Sequence, residues 1–122
     1  MQMIEKELFD ILTGQSNKHI RYLDERIGVH REIYNSFSLM QTAAQKDGID
    51  LKIVSGFRSF EQQLAIFNNK LTGLKPIYDQ ANNIVDTSAL TDPELINSIL
   101  LFSALPGASR HHWGTDIDVY DP

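Results

Sequence analysis

Only two stretches of this chain alternate apolar and polar residues in the manner of a β-strand, Asp50–Ser55 and Gly114–Tyr120, and all of residues 56–113 lies between them. That separation excludes a regular βαβ series and points to an α+β fold, with helices packed on a small antiparallel sheet. The 122 residues allow one hydrophobic core, so residues 1–122 are read as a single domain.

The helices are legible from apolar spacing. Ile4, Leu8, Ile11 and Leu12 predict a short first helix, stopped at Thr13-Gly14 and packed as a lid on the core. Val29, Ile33, Phe37, Met40 and Ala44 recur at three- and four-residue steps and predict one long helix from Val29 to Lys46, with Gly48 just past its end. Ser59 is placed to cap a helix from Phe60 to about Asn69, with Gln62 or Gln63 completing a capping box. Thr91 or Asp92 caps another that runs through Leu95, Ile99 and Phe102 before Pro106-Gly107. Between them, residues 72–91 hold Gly73, Pro76 and paired asparagines and read as a long irregular connection, of the kind that borders binding sites. A sheet of so few strands leaves an edge exposed, and further strands are expected beyond Pro122.

Composition narrows the partners. Sixteen acidic against eleven basic residues give a net charge of −5, a field that repels polyphosphate and argues against nucleic acid. With no cysteine, thiolate catalysis and sulfur-ligated metals are excluded, so any metal rests on His, Asp or Glu. No apolar run is long enough to span a bilayer, and the acidic first dozen residues do not resemble an export signal.

Three groups of residues invite chemistry. In Ser109-Arg110-His111-His112-Trp113-Gly114-Thr115-Asp116-Ile117-Asp118, a loop histidine and a strand aspartate can turn toward one point if Gly114 lets the chain bend. His111 and Asp118 then offer a nitrogen and a carboxylate oxygen, donors suited to zinc, although a catalytic zinc site ordinarily has three protein ligands. The bland alternative is that the histidines pack beside Trp113 and the aspartates are solvated. Another is that Asp116 and Asp118 share one strand face as a carboxylate pair for a hard cation. In Ser55-Gly56-Phe57-Arg58-Ser59 with Gln63, the Arg58 fork is placed where strand turns to helix and can grip a carboxylate, with Gln63 within reach of the same cleft. Taken by itself, Arg58 reads as a surface arginine paired with Glu61 or another acid. His19 and His30 have no ligand-like spacing and receive no role.

Together, the segments Ser55-Gly56-Phe57-Arg58-Ser59 with Gln63, and Pro106-Gly107 with Ser109, His111, Gly114 and Asp118, resemble the M15 zinc peptidases. These include the VanY-like D-alanyl-D-alanine carboxypeptidases, which trim peptidoglycan stem peptides and share an α+β fold with the Hedgehog signalling domain. The resemblance runs from about Ile33 to the end of the chain. It implies that His111 and Asp118 are ligands of zinc (Zn2+), that Arg58 anchors the terminal carboxylate, and that Ser59, Gln63 and Ser109 belong to the substrate site. Asp116 stands where many members have a small residue. The family's third ligand, a His, and its general-base Glu come from a later strand and loop. No Glu or His follows Asp118, so no catalytic base is assigned and this N-terminal part of a catalytic domain is expected to turn over weakly. A peptidoglycan-peptide binding module without hydrolysis is the rival expectation. The family implies the periplasm or cell envelope, the cytoplasm being the alternative since no export signal is visible, and the choice between DD and LD substrates is not legible.

Overall fold

The computed structural model describes residues 2–122, with side chains from Glu5 onward. The elements are α1 (Gln2–Leu12), β1 (Ile20–Tyr22), β2 (Gly28–His30), α2 (Tyr34–Lys46), β3 (Lys52–Ser55), α3 (Phe60–Leu71), α4 (Asp92–Leu100) and β4 (Asp118–Tyr120), with a single 3₁₀ turn at Arg110–His112. The α+β expectation holds, with two two-stranded antiparallel sheets, β1–β2 and β3–β4. α1 ends before Gly14, which takes the left-handed φ of +78°. As a lid α1 is partial: it lies against the 3₁₀ turn while Leu8 and Phe9 stay exposed. Ile4, part of the helical pattern, has a side chain outside the described residues.

The long helix predicted from Val29 begins instead at Tyr34, and Val29 is wholly buried in β2. Its apolar step fits the helical period, but β2 pairs with β1 across a turn in which Asp24 Oδ1 accepts from the Arg26 and Ile27 amides. Three-residue strands are too short to show alternation, so the hairpin escaped the pattern. Gly28 is required there: a Cβ would sit 2.5 Å from Ile20.

β4 is also shorter than expected, starting at Asp118 rather than Gly114. Ile53 pairs with Val119 but Ser55 pairs with Asp118, so β3 carries one extra residue, Val54. Such a bulge bends the strand and re-aims its side chains. It brings Asp118 opposite Ser55, at the mouth of the loop Gly56–Ser59. Asp116 lies outside the strand, which removes the shared strand face proposed for Asp116 and Asp118.

Ser59 and Gln62 form the expected capping box, with Ser59 Oγ accepting from the Gln62 amide and Gln62 Oε1 from the Ser59 amide. Thr91 and Glu94 repeat it on α4, which stops at Leu100 rather than Phe102. α3 and α4 enclose Phe67 and Ile99, and Ile77 from the irregular connection completes that core. The connection thus supplies packing and no wall of the site described below. Replacing Ser59 by alanine is expected to cost about 1 kcal/mol in urea unfolding, the usual value of an N-cap.

Candidate active site

Two loops meet at one end of the molecule, Gly56–Ser59 after β3 and Ser109–Gly114 before β4, and backbone and imidazole groups lace them together. The Arg58 amide donates to the His111 carbonyl at 3.0 Å. His111 Nδ1 donates to the Gly56 carbonyl at 2.9 Å and His112 Nδ1 to the Arg58 carbonyl at 2.7 Å. Both loops also hang on β2 and its flank, since the Phe57 amide donates to Gly28 and the His30 amide to Gly114. Gly56 and Gly114 permit these approaches, because a Cβ would stand 2.4 Å from the Gly28 oxygen or 2.7 Å from the His30 nitrogen.

A cavity of about 490 Å³ opens between the loops, lined by Arg58, Gln63, Ser103, Ser109, His111 and Asp118. Five of the six residues singled out for the site therefore share one space. Ser59 does not: its hydroxyl caps α3 and the residue lines a different cavity, beside Gln15 and Tyr22. Asp116 lines the site cavity, but among the described residues no third His, Asp or Glu stands with His111 and Asp118 as a metal-binding group.

His111 Nε2 and Asp118 Oδ2 are 3.5 Å apart. A carbonyl can only accept, so the Gly56 bond places the His111 proton on Nδ1 and, in the neutral ring, turns the Nε2 lone pair toward the carboxylate. Two electron-rich atoms facing each other at this distance are reconciled by a proton on Nε2, which makes an ion pair, or by a metal cation held between them. Two zinc ligands at roughly 2.1 Å with a tetrahedral angle stand about 3.4 Å apart, and a ring nitrogen tied to a backbone carbonyl is the usual support for a metal-binding histidine. The donor pair fits zinc. Ser109 Oγ accepts from the His111 amide at 3.2 Å, capping the 3₁₀ turn that presents the imidazole.

Arg58 makes no ion pair with any described carboxylate, Glu61 included, so its fork is uncommitted. Gln63 is 1% exposed; its Nε2 donates to the Ala104 carbonyl, while its Oε1 is buried without a partner. That acceptor is left available beside the cavity that Gln63 lines.

His19, given no role in the sequence, and His112, the neighbour of His111, are structural. His112 is fully buried with both nitrogens used, Nδ1 toward Arg58 and Nε2 accepting from the Gly107 amide at 3.0 Å. His19 packs edge-on against Phe57 and donates from Nε2 to the His112 carbonyl at 2.8 Å. Neither has a periodic signature, and their only sequence signal is adjacency to a motif or none at all. Burial holds the His19 pKa below the ordinary value; the His112 hydrogen bond opposes this, and the His30 and Arg31 charges reinforce it. The unfolded chain therefore takes up this proton at higher pH than the folded one. The His19 contribution is complete above pH 6.5 and declines as pH falls through the window between that value and the lower folded-state pKa. Urea midpoints measured from pH 7.5 to 5 should fall, with a shallower decline in His19→Gln.

Comparison with known proteins identifies the family and the fold. The family model described as VanY, D-alanyl-D-alanine carboxypeptidase, matches residues 26–122. A Haemophilus influenzae protein described as uncharacterized is 32% identical over 100 residues, 79% of this chain and 68% of that protein. A vancomycin resistance D,D-pentapeptidase VanY crystallised with Zn(II) is similar in fold at a TM-score of 0.64 and 20% identity, covering 87% of this chain and 55% of that one. VanYB in complex with D-alanine-D-alanine gives 0.67 and 21%, covering 88% and 53%. The LdcB LD-carboxypeptidase gives 0.60 and 21%, covering 85% and 44%. The chain thus spans about half the length of these solved structures. With two laced loops in a DD-peptidase-like α+β fold and a family match over most of its residues, the chain belongs to the VanY D-alanyl-D-alanine carboxypeptidase family.

Proposed function

We propose that this chain carries the substrate anchor and two of the metal ligands of a zinc-dependent carboxypeptidase that cleaves the terminal amide of peptidoglycan stem peptides, in the periplasm or cell envelope. The observation that carries the reading is the His111–Asp118 pair, 3.5 Å apart in the wall of the cavity that also holds the uncommitted Arg58. Bound between that pair, zinc would acidify a water and polarise the scissile carbonyl. Arg58 would hold the free carboxylate of the last residue through its two-pronged fork, confining cleavage to the terminal bond. The buried Gln63 Oε1 would accept a peptide N–H, and Ser109, its oxygen already accepting from the His111 amide, keeps a hydroxyl proton to donate.

Among the described residues no third His, Asp or Glu groups with His111 and Asp118, and the proposed turnover requires a third ligand and a general base. The test is D-alanine release from a stem pentapeptide with added zinc. The expected result is little turnover by the 122-residue chain; robust turnover that disappears in His111→Ala would overturn that part of the proposal. The two-ligand count also favours a second reading, a module that binds the peptide without hydrolysis. Peptide affinity indifferent to a chelator would favour the module, and zinc retained through dialysis the enzyme.

A further inference from the structure

We infer that Ser103, its hydroxyl polarised by the Lys70 ammonium, is a second hydrogen-bond donor to the substrate carboxylate held by Arg58. This rests on the peptide-binding reading above and deepens it by assigning a recognition group that neither sequence motif contains. Lys70 stands in the last turn of α3, and Ser103 follows α4 by three residues. Lys70 Nζ lies 2.5 Å from Ser103 Oγ. An ammonium has hydrogens and no lone pair, so Ser103 Oγ must be the acceptor and its own hydrogen must point elsewhere. Among the described residues no acceptor takes that hydrogen, while the Ser103 amide is spent on the Ile99 carbonyl at 3.0 Å. The residue is 7% exposed and borders the site cavity with Arg58, Gln63, Ser109 and His111.

Charge points to the kind of occupant. Lys70 has no described carboxylate within ion-pair distance, and neither has Arg58. Burial lowers the Lys70 pKa, and the Arg58 charge lowers it further, which places the two cations in one field. Two uncompensated positive charges and a hydroxyl constrained to donate suit a carboxylate, whose two oxygens can take the Arg58 fork and the Ser103 proton together. A neutral amide terminus would gain far less.

A purely structural role for the Lys70–Ser103 bond, tying α3 to the segment after α4, makes a different prediction, which allows a direct test. Binding of D-alanyl-D-alanine and of its C-terminal amide is measured by calorimetry, with zinc present, for the wild-type chain, Ser103→Ala, Lys70→Met and Arg58→Gln. Loss of a hydrogen bond to a charged group predicts that Ser103→Ala weakens the acid about tenfold and leaves the amide unchanged. Lys70→Met, at a less buried position, is expected to move affinity the same way by a smaller factor. Equal weakening of acid and amide, or no change for the acid in either variant, would overturn the inference while leaving the Arg58 anchor to be judged by Arg58→Gln. Absence of wild-type binding to either ligand would overturn the peptide-binding reading, and this inference with it.

Discussion

Replacing His112 by leucine is expected to be the most destabilising change in the site region, costing about 3 kcal/mol or more, on the order of 1–3 for each buried polar group left without a partner. The imidazole is fully buried and joins the two loops, donating to the Arg58 carbonyl and accepting from the Gly107 amide. Leucine fills much of the volume but answers neither group. The surroundings cannot relax easily, because a Cβ on Gly14 would already stand 2.3 Å from the ring. His111→Leu breaks the single Nδ1 bond to Gly56 at a partly exposed side chain, so a cost of about 1 kcal/mol is expected. Urea unfolding of the two variants checks the order. Equal costs would mean that His112 does not hold the loops together.

For metal binding the order should reverse in kind. Zinc affinity is expected to fall by about a hundredfold or more in His111→Ala and in Asp118→Ala, since loss of even a supporting group commonly costs 10–100-fold. Asp116→Ala should leave it close to the wild-type value. Calorimetric titration with zinc distinguishes the arrangements. The His111–Asp118 pair predicts insensitivity to Asp116, whereas a carboxylate pair of Asp116 and Asp118 predicts that Asp116→Ala weakens binding while His111→Ala does not. The geometry favours the first outcome, because Nε2 and Oδ2 already stand at the separation of two zinc ligands and Asp116 lies off the strand.

The site was legible where its chemistry depends on residue type at short range. Ser59 and Thr91 announced their capping boxes, whereas Arg58, Gln63, Ser109, His111 and Asp118 were assigned to one site by the resemblance of two motifs to a known family. The β1–β2 hairpin was hidden because its strands have three residues each, and Val29 satisfied a helical spacing as well as a buried strand position. Ser59 shows the opposite failure. It sits within a motif, yet its hydroxyl is spent on the backbone of α3.

By itself the sequence determined the α+β character, the helix caps and the residue types able to bind a metal and a carboxylate, because those follow from local periodicity and from the chemistry of side chains. Only the tertiary structure decided which of them meet. The Val54 bulge sets Asp118 against the Gly56 loop, the buried rings of His19 and His112 tie distant backbone carbonyls together, and Lys70 reaches Ser103 across two helices. Each of these depends on hydrogen bonds between residues far apart in the chain, whose partners no local pattern encodes.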